Sequence, residues 1–118
     1  MRLRIKKYLW DVSQACQAIE QFIEGKTFED YENDLQLRSA VERQFLIIGE
    51  ALSQAFRESI EVEHGITDVH EIIGFRNMLV HGYSIIKNER VWDISKNVMP
   101  ILLQEVTDLL GEETEYDN

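Results

Sequence analysis

Residues 37–56, LRSAVERQFLIIGEALSQAF, place Leu37, Val41, Phe45, Ile48, Leu52 and Phe56 at intervals of three and four. That spacing lines one face of an α-helix, whereas a half-buried strand needs strict alternation. Gly49 and Ala51 thin the same stretch and allow a neighbour to approach closely. The pattern predicts a helix capped by Asn33 or Asp34 and running to about Ser59. Upstream, Ile5, Leu9, Val12, Cys16, Ile19 and Ile23 step by four, three, four, three and four, a second amphipathic seam that Gly25 ends. The acidic stretch 27–34 between them reads as a loop or single turn anchored by Phe28 and Tyr31.

Downstream, the polar stretch 61–65 precedes a third helix opened by Thr67 or Asp68, and Asp68 with Glu71 has the spacing of a capping box. Its apolar face includes Val69, Ile72, Ile73, Leu79 and Val80, and Gly82 and Ser84 weaken its end. Asn88 is placed to cap a fourth helix carrying Val91, Ile94, Val98, Ile101, Leu102 and Leu109. Pro100 interrupts that pattern, and an interior proline costs about 3 kcal/mol, so a kink or break is expected there. Fraying is expected after Gly111. The sum is an all-α, antiparallel up-and-down bundle of four main helices with the last one kinked or split. The domain spans 1–111 and an acidic tail spans 112–118.

Composition agrees. The chain has 118 residues, 44% hydrophobic and 29% charged, with six glycines and one proline, too few for a turn-rich sandwich or barrel. No run approaches the roughly 20 apolar residues that span a bilayer, and the start MRLRIKKYLWD lacks a signal-peptide core; a cytoplasmic protein is expected. The single cysteine, Cys16, has no partner for an internal disulfide and reads as a small buried side chain. A domain this small leaves apolar helix faces uncovered, so a partner chain is expected. The net charge of −10 repels polyanions at long range. It is unevenly spread: Arg2, Arg4, Lys6 and Lys7 cluster at the start, and the last eighteen residues carry six acids and no base. Local contact with RNA stays open. The basic start itself reads as a solvated helix face or as a guide for RNA or an acidic partner.

The third helix breaks its own pattern. With about 100° per residue and Arg76 at zero, Val69 falls near +20°, Ile72 near −40°, Ile73 near +60°, Leu79 near −60° and Val80 near +40°. A guanidinium in mid-stripe needs a partner, a wet cleft or a function, because an unpaired buried charge costs several kcal/mol. Tyr83 returns to about −20°, and Asn77 and His81 lie together near +100° and +140°. Structurally, Arg76 pairs internally, His81 bonds a carbonyl and Tyr83 packs. Functionally, Arg76, Asn77, His81 and Tyr83 line a polar pocket suited to a phosphodiester. The imidazole moves a proton near neutral pH and the guanidinium stabilises charge added at phosphorus.

The stretch RNMLVHGY, Arg76 to Tyr83, fits R-x4-H-x-Y and resembles the motif of HEPN-domain proteins. The whole chain resembles more specifically the HepT-like toxins, whose genes are paired with a minimal nucleotidyltransferase antitoxin. Ile48-Gly49-Glu50-Ala51, Ile73-Gly74-Phe75-Arg76-Asn77, and Val91-Trp92 with Pro100 carry the rest of the likeness. The resemblance implies a metal-independent endoribonuclease toxin of a type VII-like toxin–antitoxin pair, needing no cofactor. It implies a homodimer whose two motifs face one cleft, with RNA rather than DNA as substrate. His81 is then the general base or acid, Arg76 binds the phosphate, and Asn77 orients the phosphate or the histidine. Tyr83 is the residue to which the partner transfers AMP. Since Arg76 and His81 lie about 140° apart on an ideal helix, a bent helix end or the second protomer must bring them together.

Two alternatives stand beside this. One is a catalytically silent binding module that docks a nucleotidyltransferase or holds a nucleotide. The other is a structural dimer in which Glu42 or Glu50 neutralises Arg76. Other chemistry finds little support. His64, His70 and His81 lack zinc-site spacing, and Glu29, Asp30, Glu32 and Asp34 lack the glycine and terminal glutamate of an EF-hand loop. The glycines form no phosphate-cradling loop, and no G-x-S-x-G appears.

Overall fold

The computed structural model describes residues 1–82 and 86–117, the last six of these by backbone alone. Its elements are α1 (Leu3–Ile23), α2 (Phe28–Glu32), α3 (Leu35–Glu58), α4 (Ile60–Gly65), α5 (Val69–His81), α6 (Asn88–Asp93), a π turn (Ile94–Val98) and α7 (Met99–Asp117). No strand occurs among the described residues. Both seams are core: Ile5, Leu9, Val12, Cys16 and Ile19 of α1 and Leu37, Val41, Phe45, Ile48 and Leu52 of α3 are buried. α1 packs against α3 and α7, and α3 packs against α5. No helix among the described residues is long and apolar enough to cross a membrane. Burial pushes the Cys16 thiol up to about 12, so the thiolate is suppressed.

The acidic stretch between the first two seams folds as a plug. Thr27 and Asp30 close a reciprocal cap: Thr27 N–H donates to Asp30 Oδ2 at 2.9 Å and Asp30 N–H to Thr27 Oγ1 at 3.1 Å. That cap orients α2 so that Tyr31 is fully buried, its ring 5.5 Å from Trp92, while Phe28 lies 6.3 Å from the same indole. Asp34 then caps α3 by accepting from Leu37 N–H at 3.0 Å.

Several sequence expectations are corrected. The polar stretch 61–65 is helical, because Ser59 caps α4 and Val62 supplies a buried anchor. Asp68 precedes α5 but its side chain caps nothing. Glu71 is drawn instead to Arg90 at 3.0 Å, and Thr67 N–H and Oγ are held by the Glu105 carboxylate of α7 at 2.7–3.2 Å. Asn88 is the first residue of α6, and Lys87 holds the cap position without a side-chain bond.

The last helix is split as expected, by a π turn. Met99 N–H reaches Ile94 O, five residues back. A proline ring crowds the carbonyl four residues before it, and the wider turn directly upstream of Pro100 gives that carbonyl room. α7 then runs on past Gly111, where fraying was expected, to Asp117.

Candidate functional site

The site forms where α5 crosses α3, and aromatic pairs fix that crossing at both ends. Phe45 and Phe75 meet edge to face with ring centres 5.2 Å apart, and Phe56 meets His70 in the same way at 5.2 Å. Burial of Phe75 corrects the third-helix face. Val69, Ile72 and Phe75 are the buried residues of α5, so the stripe centres near Ile72 and Arg76 sits on its edge.

Between the aromatic pairs lies Gly49. A Cβ there would stand 2.2 Å from Arg76 Cβ and 2.3 Å from its Cγ, so only glycine lets the arginine stem lie on the α3 backbone. The stem is seated, and its head projects into a groove of about 640 Å³ walled by α1, α3 and α5. Arg43, Ile47, Glu50 and Gln54 of α3 form its floor, Tyr8 and Asp11 of α1 one wall, and Arg76 and Val80 of α5 the other.

Two acceptors hold the guanidinium. Arg76 Nη2 donates to Glu50 Oε2 at 2.7 Å and Nη1 to Asn77 Oδ1 at 2.9 Å, while Nε is sealed from solvent without an acceptor among the described residues. Glu50 is therefore the acid on Arg76. Glu42, the other acid considered, is pushed up from its usual value by burial, against the opposing pull of Arg38. The Glu50 side chain is 57% exposed, so its attraction for Arg76 is solvent-screened. An anion such as phosphate can exchange with it at little cost.

His81 closes α5, five residues and about 7.5 Å of rise beyond Arg76, exposed and outside the groove lining. Its imidazole makes no hydrogen bond among the described residues. The helix stays regular through His81, and Gly82 N–H returns to Met78 O at 2.7 Å, so no bend swings the histidine toward Arg76. Asn77 joins Arg76, whereas Tyr83 lies outside the described residues. Sequence reading missed Tyr8, Asp11, Arg43 and Gln54. The available signal was the polar stripe Arg43, Glu50 and Gln54 beside the apolar face of α3.

An all-helical chain presenting an Arg-x4-His helix against a glycine-thinned neighbour defines a class, and sequence comparisons specify it. The Ribonuclease HepT-like family matches residues 12–109. A protein named putative RNase in Caldanaerobacter subterraneus subsp. tengcongensis is 31% identical over 92% of this chain and 96% of its own length. One named probable ribonuclease HepT in Thermococcus cleftensis is 31% identical over 86% and 92%. A protein named putative RNase in Methanocaldococcus jannaschii is 30% identical over 86% and 93%. No solved structure matches. The chain belongs to the HepT-like ribonuclease family.

Proposed function

We propose that this chain is an endoribonuclease that cleaves RNA without metal, and that it is the toxin of a pair whose antitoxin is a minimal nucleotidyltransferase. The observation that carries the reading is the seating of Arg76 against Gly49, with its guanidinium held at a groove by an exchangeable carboxylate. A phosphodiester replaces Glu50 on the arginine. The ribose 2′-OH attacks phosphorus, forming the P–O2′ bond and breaking the P–O5′ bond. One imidazole accepts the 2′-OH proton, and the departing 5′-oxygen takes a proton from the imidazolium so formed. The products are a 2′,3′-cyclic phosphate and a 5′-OH, and Arg76 offsets the charge that builds on the non-bridging oxygens.

Since α5 is regular to His81, a homodimer supplies convergence, with His81 of one protomer approaching Arg76 of the other. Tyr83 is the proposed modification site. Its phenolic oxygen attacks the α-phosphorus of ATP on the partner enzyme and pyrophosphate leaves, so that a bulky anion blocks the cleft. One observation favours the silent binding module instead: within one chain Arg76 is already neutralised by Glu50, and His81 stands apart.

The test is cleavage of a defined single-stranded RNA and of the same RNA with one 2′-deoxy nucleotide. Cyclic-phosphate ends at every cut, and loss of the cut directly after the deoxy position, are expected. Cleavage that persists there overturns the 2′-OH mechanism. No cleavage by a folded, unmodified dimer favours the binding module.

A further inference from the structure

Arg76 sits on one wall of the groove, and the rest of the groove holds groups that the cleavage chemistry does not use. Arg43 shares a face of α3 with Ile47, Glu50 and Gln54, two helical turns, or about 10 Å of rise, before Glu50. Because Glu50 touches Arg76, two guanidiniums border the stretch of floor from Arg43 to Glu50. Leu46 and Ile47, both half-buried, make an apolar strip between them, and Tyr8 borders that strip from α1. Asp11 on the same wall is engaged by Lys7 at 2.6 Å. Arg43 is exposed and has no hydrogen bond or ion pair among the described residues, so an anion arriving there displaces nothing.

We propose that the groove binds the nucleotide adjacent to the cleaved phosphodiester of single-stranded RNA, with Arg43 holding its outer phosphate and Tyr8 stacking on its base. This rests on the ribonuclease reading of Arg76 and His81. A guanidinium fork matches two phosphate oxygens, and an aromatic face accepts any base, so the subsite selects single strands more than sequence. The contact needed from a chain of net charge −10 is local: the groove lining carries Arg43 and Arg76 beside two acids, Asp11 and Glu50. Asp11 is engaged with Lys7, and Glu50 is engaged with Arg76 until the phosphodiester displaces it, after which its exposed carboxylate turns to solvent.

The test is equilibrium binding of a fluorescent 2′-O-methyl RNA hexamer, which lacks the attacking hydroxyl, across a range of salt. Wild type is compared with Arg43→Gln, Tyr8→Leu and Tyr8→Phe, and with Arg57→Gln as a control outside the groove. Arg43→Gln is expected to weaken binding several-fold and to flatten the slope of log K against log salt by about 0.7. Tyr8→Leu is expected to weaken it about tenfold with no change of slope, and Tyr8→Phe to retain it. Arg43 makes no bond that folding needs, so its variant decides the matter.

Unchanged binding and slope in Arg43→Gln overturn the subsite, as does failure of the wild-type protein to bind the hexamer. Parallel cleavage assays separate the two readings. Cleavage with Arg43-independent binding rejects the subsite alone, whereas Arg43-dependent binding without cleavage rejects the nuclease and keeps the subsite.

Discussion

Gly49→Ala is the sharpest structural perturbation available, because its sign depends on one contact. In an exposed helix, Gly→Ala is worth about 1 kcal/mol of added stability. At position 49 the new methyl would lie 2.2 Å from Arg76 Cβ, which is fixed to the α5 backbone and has no rotamer escape. The helices must separate by more than 1 Å to restore ordinary contact, and overpacking of that kind costs about 1–3 kcal/mol. The Phe45–Phe75 pair beside it resists the movement. A net loss of about 1–2 kcal/mol is expected in urea unfolding followed by circular dichroism at fixed protein concentration. Gly74→Ala, with open space around position 74, should instead gain about 0.5–1 kcal/mol.

A double-mutant cycle isolates the contact. Arg76→Ala keeps the offending Cβ, so Gly49→Ala remains destabilising in that background. Arg76→Gly removes it, and Gly49→Ala should then become stabilising. Stabilisation by Gly49→Ala in the wild-type background, or the same effect in the Arg76→Ala and Arg76→Gly backgrounds, would refute the seating of Arg76 on α3.

Three further outcomes follow from the same geometry. Arg76→Lys keeps the charge but loses the fork that spans two oxygens, so RNA cleavage should fall by about 10²–10³, while stability changes by less than about 1 kcal/mol because the Glu50 pair is surface-exposed; the two are read by initial rates and thermal melting. Glu42 is raised above its usual 4.5 by burial, so its contribution is favourable below 4.5 and is lost as pH rises through the folded value. Glu42→Gln should therefore raise Tm at pH 7, with the gain vanishing below pH 4.5, and a lower Tm at pH 7 would contradict it. Thr27→Ala opens the reciprocal cap on α2 and should cost about 1 kcal/mol, with a shift in the emission of Trp92, which α2 covers.

The parts legible in the sequence were those set by periodicity within one helix. The seams of α1 and α3 are core as spaced, and Gly49 was readable as a point of close approach. The identity of the approaching atom was not readable, because it depends on the register between helices far apart in the chain. Centring the α5 wheel on Arg76 left Phe75 out of the apolar face, and contact with Phe45 settles the matter. The Asp68–Glu71 capping box did not form, and the Glu71 carboxylate it needed is drawn to Arg90, which is distant in sequence. Arg76, Asn77 and His81 were visible as a motif. Tyr8 and Arg43 were not, since only folding brings α1 and α3 to one groove.

The most direct measurement is cleavage of total cellular RNA by the purified, unmodified chain in excess EDTA, with His81→Ala and Arg76→Ala as controls and the new termini mapped. Cyclic-phosphate ends that survive EDTA and disappear in both variants are expected. Activity abolished by EDTA and restored by a divalent ion, or cleavage undiminished in His81→Ala, would contradict the proposed mechanism.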